Sequence, residues 1–119
     1  MAKSGADLIQ EAKQSIREVT PKDVREMQGR NEPLVLLDVR DQNEVNLGRI
    51  PGAVHISRGT LEGKVEGVIP RDANVVIYCA SGNRSALAAD TLPQMGYQHV
   101  SSMTGGFRDW VGTGGLVVG

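Results

Sequence analysis

Val75-Val76-Ile77-Tyr78-Cys79-Ala80-Ser81-Gly82-Asn83-Arg84-Ser85-Ala86-Leu87-Ala88-Ala89-Asp90 runs from an apolar stretch through small residues into a helix-like stretch. Its first four residues are β-branched or aromatic with no polar interruption, which predicts a strand buried on both faces. Cys79 then sits at a strand's carboxyl end, where open α/β sheets bind their ligands. It faces amides at a helix start that have no intrahelical partner, and the positive end of the helix dipole. Both favour the thiolate, the nucleophilic form of sulfur. A lone cysteine is ordinarily a small buried hydrophobe. Here Gly82 and Arg84 stand at offsets three and five from it. Small residues let successive N–H groups turn inward as an anion-binding nest, and Gly82 can supply a positive φ. This nucleophile reading requires inward amides and a sulfur that water can reach.

Working outward, a second continuous apolar run, Pro33 to Val39, predicts another buried strand. Short strands are expected around Val54–Ile56 and His99–Val100. Helical signals fill the intervals. Thr20-Pro21-Lys22-Asp23 combines a cap, a first-turn proline and an acidic residue, and that helix ends near Gly29. Asp41–Leu47 and 58–66 are read as short helices. The helix after Cys79 runs toward Met95, kinks or ends near Pro93, and is closed by Gly96. Gly105-Gly106 opens a last helix from Phe107 to Val111, and the Leu116-Val117-Val118 tail packs back on the body. Residues 5–18 place Leu8, Ile9, Ala12 and Ile16 at helical spacing, continued by Val19, predicting an amphipathic helix on the outside of the domain. Residues 1–19 are thus read as a helical extension and 20–119 as the domain. Buried strands alternating with helices predict a mostly parallel sheet covered on both faces.

A chain of 119 residues supports one core without staples. Only 3% of residues are aromatic, so aliphatic side chains fill that core. The net charge of −1 is spread without a basic stripe or acidic block, which points away from nucleic acid. One cysteine forms no internal disulfide. The N-terminus has no apolar leader, and no apolar run approaches membrane-spanning length. The expectation is a cytoplasmic protein with no membrane contact.

Three blocks together resemble the rhodanese-like sulfurtransferases, specifically their single-domain members. They are Leu37-Asp38-Val39-Arg40 with Glu44 and Gly48-Arg49-Ile50-Pro51-Gly52-Ala53; Ile77-Tyr78-Cys79 with the loop to Arg84-Ser85; and Gly105-Gly106-Phe107 with Trp110. The resemblance implies a three-layer α/β/α sandwich around a mostly parallel five-stranded sheet. It implies transfer of sulfane sulfur through a persulfide on Cys79, without cofactor or metal. The donor would be thiosulfate or a persulfide, and the acceptor a thiol, cyanide or a protein thiol. The backbone N–H groups of Ala80, Ser81, Gly82, Asn83 and Arg84 would compensate the persulfide's charge, as an oxyanion hole does for oxygen. A chain without a second thiol also avoids discharging that persulfide into a disulfide.

Asp38, Arg40 and Arg49 are candidate rim residues. For the first two, a structural role is the favoured reading, with Arg40 pairing to Glu44. Arg49 stands where the family commonly has His, and cannot act as a base. Arg84 has two open roles: adding positive potential at the sulfur, or bracing the loop through a carboxylate. His55 is read as a strand-end cap, His99 as a surface residue, and Phe107 and Trp110 as packing. Ala80 and Ser81 bring no charge to the loop, which weakens thiosulfate as the physiological donor. Two other functions fit the sequence less well. A non-catalytic binding module of this fold typically lacks the cysteine that this chain keeps. Cysteine phosphatases and arsenate reductases place one residue more between cysteine and arginine, making a wider cup than Ala80 to Asn83 can form.

Overall fold

The two apolar runs become neighbouring central strands. The structure, a computed structural model, describes residues 2–119. Its strands are β1 (Arg17–Val19), β2 (Val35–Asp38), β3 (Val54–His55), β4 (Val75–Tyr78) and β5 (Val100–Met103). They form one sheet in the order β1-β5-β4-β2-β3, with every pairing parallel. The helices are α1 (Gly5–Ser15), α2 (Pro21–Gly29), α3 (Gln42–Asn46), α4 (Leu61–Lys64), α5 (Asn83–Thr91) and α6 (Gly106–Gly112). Among the described residues, no helix is long and apolar enough to cross a membrane.

The period of two along a strand sorts side chains between the two layers. Val75, Ile77 and Cys79 join Leu37, Val39, Leu61, Ala88 and Leu92 on the face covered by α4 and α5. Val76 and Tyr78 join Leu36, Val24, Met103 and Trp110 on the face covered by α2 and α6. Cys79 therefore continues the alternation of β4 and belongs to the α5 side.

Local signals set most element ends. Thr20 Oγ1 accepts from the Asp23 amide at 3.1 Å, and the Asp23 carboxylate accepts from the Thr20 amide at 2.9 Å. This reciprocal cap starts α2. α5 passes into a 3₁₀ turn over Leu92–Met95 where Pro93 intervenes, and Gly96 closes it at φ 94°. The tail returns through an antiparallel bridge between Arg49 and Val118.

Two expectations are corrected. The helix predicted over 5–18 stops at Ser15, and Arg17–Val19 form the edge strand β1 against β5. The helical extension 1–19 is thus helical only in its first part. Pro21 disfavours helical backbone at Thr20, and β-branched Val19 pairs readily with a strand. The final strand runs Val100–Met103 rather than centring on His99–Val100. Its middle is Ser101-Ser102, whose hydroxyls hide a buried strand from a reading based on apolar runs.

Candidate active site

The loop opens where β4 ends, and its amides converge on sulfur. Cys79 Sγ accepts from the Gly82 amide at 3.1 Å and from the Ser85 amide at 3.4 Å. It lies 3.5 Å from Ser85 Oγ, which lies 2.8 Å from Ser102 Oγ. Register sets this relay: Ser102 on β5 stands beside Ile77 on β4, on the same sheet face as Cys79. Burial pushes the Cys79 thiol up. The Ser85 hydroxyl and the amides of Ser85, Gly82 and Ser81 pull it down and prevail, so it lies below the ordinary thiol range.

At the start of the loop two carbonyls are held outward, so the amides that follow them, those of Ala80 and Ser81, turn the other way. The Phe107 N–H donates to the Cys79 carbonyl at 2.8 Å, and the Arg108 N–H donates to the Ala80 carbonyl at 3.1 Å. The first turn of α6 thus fixes the first two peptides of the loop. Gly105 and Gly106 make this approach feasible, at φ 70° and 57°. A Cβ on Gly106 would collide with the carbonyls of both Cys79 and Ala80. Gly82 takes φ 108°, and its Cα faces the Gly105 amide. Two glycine signals far apart in sequence belong to one piece of backbone architecture.

Of the amides of Ala80 to Arg84 that the sequence reading named, that of Gly82 donates to Sγ, joined by that of Ser85 beyond them, and the open thiol which that reading requires is not present. Cys79 is 1% exposed. Gly82 is buried with it, while Ser81 and Asn83 are exposed and Ala80 and Arg84 are half-buried. The sulfur lies at the floor of the loop because four residues between cysteine and arginine make a tight curl.

Arg84 takes the bracing role. Its Nη1 and Nη2 donate to the two Glu44 carboxylate oxygens at 2.6 and 2.9 Å. This bidentate contact holds the Glu44 carboxyl down at about 2, against its burial and with help from the Asp41 amide. It also raises the guanidinium's own pKa. Glu44 is therefore the partner of Arg84, not of Arg40 as the sequence reading had it.

Asp38 and Arg40 pair with each other and are buried, not on the rim. Arg40 Nη2 donates to Asp38 Oδ2 at 2.7 Å and to the Gly48 carbonyl at 2.8 Å. The guanidinium lies over the rings of Phe107, at 4.3 Å, and Tyr78, at 5.6 Å. Arg49 is exposed, and its backbone carries the bridge to Val118. His55 Nε2 lies 2.7 Å from the Arg40 carbonyl, as expected of a strand-end cap. Trp110 is buried and donates from Nε1 to the Leu116 carbonyl at 2.8 Å.

Two side chains near the loop escaped the sequence reading. Ser102 lies in a strand whose polar residues concealed it. Lys13, on α1, donates from Nζ to Asn83 Oδ1 at 3.0 Å across a separation of 70 residues. No local pattern marks such a contact.

Comparison with known proteins places this geometry among relatives. The profile of the rhodanese-like domain matches residues 20–113. A Bacillus subtilis protein provisionally named as a sulfur carrier, YrkF, is 34% identical over 110 residues, which is 92% of this chain and 59% of that protein. This chain thus spans less than two thirds of that relative's length. The thiosulfate sulfurtransferase GlpE of Glaesserella parasuis is 34% identical over 98 residues, covering 82% of this chain and 89% of that one. A solved structure from Rhodopseudomonas palustris, described as a possible tyrosine phosphatase, superposes with a TM-score of 0.89 at 33% identity. The match covers 99% of this chain and 96% of that one.

Proposed function

The chain belongs to the rhodanese-like domain family, and from that premise we propose that it is a sulfurtransferase carrying sulfane sulfur on Cys79. The donor is thiosulfate or a persulfide, and the acceptor is cyanide, a small thiol or a protein thiol. One observation carries the reading: two loop amides donate to Sγ and, with the Ser85 hydroxyl, favour its thiolate.

The Cys79 thiolate attacks the outer sulfur of thiosulfate. The donor's S–S bond breaks, and sulfite leaves with the electron pair. Cys79 becomes a persulfide anion, whose charge, now on the outer sulfur, falls to inward amides, as an oxyanion would. An acceptor thiolate or cyanide then attacks the outer sulfur, leaves as a persulfide or thiocyanate, and restores the thiolate. The two half-reactions share one covalent intermediate. They use the sulfur atoms and the loop amides alone, with no cofactor. A reduced lone cysteine suits a reducing compartment such as the cytoplasm. Because the resting thiol is 1% exposed, donor entry requires the lip of the loop, where Ser81 and Asn83 are exposed, to yield.

The rival readings fit less well. A phosphatase loop directs its arginine at the phosphate, whereas Arg84 is anchored to both Glu44 oxygens. A binding module has no use for a thiol held below its ordinary pKa.

Intact mass after thiosulfate or polysulfide treatment tests the proposal. Wild-type protein gains one sulfur atom, loses it to cyanide, and releases thiocyanate. Cys79→Ser does neither and stays folded. Wild-type protein left unmodified by both donors would overturn the reading.

A further inference from the structure

The loop's own side chains bring no free positive charge to a reaction whose simplest donor is a dianion. Ala80 and Ser81 are neutral, and Arg84 is paired to Glu44. Arg40 is buried against Asp38, and Arg58 pairs with Glu62. One cation does touch the loop. Lys13 Nζ donates to Asn83 Oδ1 at 3.0 Å, and Asn83 follows Gly82, whose amide donates to Sγ. Lys13 appears in none of the ion pairs among the described residues, and its side chain is half-buried.

Its position is held by packing rather than by chance approach. Ala12, its neighbour on α1, is 3% exposed. Ser15 Oγ donates to Asp90 Oδ1 at 2.8 Å, which ties the last turn of α1 to α5. Lys13 and Ser15 thus contact both ends of the same helix, and α1 lies along α5 with its ammonium at the loop end. This segment lies outside the residues 20–113 that match the family profile.

We propose that Lys13 is a specificity-determining residue: its ammonium recognises the anionic end of the sulfur donor at the mouth of the Cys79 loop. The inference rests on the sulfurtransferase reading and adds to it the residue that selects the donor's charge. Asn83 fixes the ammonium, and two of its three N–H donors remain for a sulfonate oxygen. Bond exchange takes place deeper, at the amides, so Lys13 acts on donor capture and not on the sulfur transfer itself. Thiosulfate, a dianion, leaves sulfite. Methanethiosulfonate, a monoanion, passes the same outer sulfur and leaves methanesulfinate. Lys13 therefore favours the first donor over the second.

The test compares wild type, Lys13→Met and Lys13→Arg. Lys13→Met should raise KM for thiosulfate about threefold to tenfold at low salt, with kcat little changed, as expected for one partly screened charge contact. KM for methanethiosulfonate should move less, and Lys13→Arg should restore the wild-type ratio. A second readout needs no sulfur transfer. The rate of Cys79 alkylation by anionic iodoacetate, divided by that for neutral iodoacetamide, should fall about threefold to tenfold in Lys13→Met and recover in Lys13→Arg. If both the KM ratio and the alkylation ratio stay at wild-type values, the proposal is overturned. If the alkylation ratio falls while neither donor adds sulfur to the wild-type protein, the charge assignment stands and the sulfurtransferase reading fails.

Discussion

Strands β2 and β4 lie side by side, and each delivers an ionisable group to its carboxyl end. The two ends handle charge in opposite ways. At β2, Asp38 and Arg40 neutralise each other against the rings of Tyr78 and Phe107, with the same Arg40 Nη2 also donating to the Gly48 carbonyl. At β4, no ion pair reaches the Cys79 sulfur, which is held by amides and a hydroxyl. A buried pair fixed by its own charges is a strut. A sulfur held by dipoles alone has no counter-ion to neutralise the charge that those dipoles favour. The contrast separates groups that stabilise the fold from the group proposed to react.

The sharpest way to break the comparison is to remove one side of the strut. Asp38→Ala leaves a buried guanidinium without its counter-ion and should cost about 3–5 kcal/mol of stability. Denaturant unfolding would show it. If the midpoint barely moves, the β2 end is not the strut described. Gly106→Ala attacks the other side. It forces a side chain against the carbonyls that aim the loop, at a positive φ, and should cost about 1–3 kcal/mol. It should also move the pH midpoint of Cys79 alkylation upward, because amides that rotate away no longer favour the thiolate. An unchanged midpoint would mean that α6 does not orient the loop.

The smallest effect belongs to the brace between the two ends, Glu44–Arg84. Glu44→Gln should cost about 1 kcal/mol near neutral pH, the upper range for an ion pair of this exposure. The sign with pH follows from the depressed carboxyl. Its contribution is complete above 4.5, the ordinary value, and fades as pH falls toward about 2. The stability gap between wild type and Glu44→Gln should therefore hold from neutral pH to about 4.5 and close below it. A gap that is flat down to pH 2 would contradict the brace.

Much of this site could be read from the sequence because its signals are local. An apolar run ending in cysteine, a glycine at offset three and a helix-forming stretch specify strand, turn and helix without reference to the rest of the chain. Gly105-Gly106 likewise marked the start of the last helix, though not the loop carbonyls that it meets. What could not be read was pairing. Arg40 had Asp38 and Glu44 within local reach, and Arg84 had sulfur or a carboxylate. Only the packing of α3 against the start of α5 decided who bonds whom. Arg17–Val19 read as the end of a helix by their spacing, and only the edge of β5 makes them a strand.

The amino-acid order alone determined the alternation of strand and helix, the placement of Cys79 at a strand's carboxyl end, and the need for glycine where the backbone turns left-handed. These follow from side-chain sterics and hydrophobic period, which act between near neighbours. The tertiary structure decided the depth of the sulfur, the carbonyl anchors from α6, the Ser85–Ser102 contact, the exchange of arginine partners and the arrival of Lys13 from α1. These depend on which surfaces meet, and hydrogen bonds and ion pairs form only between groups that packing has already brought within about 3 Å.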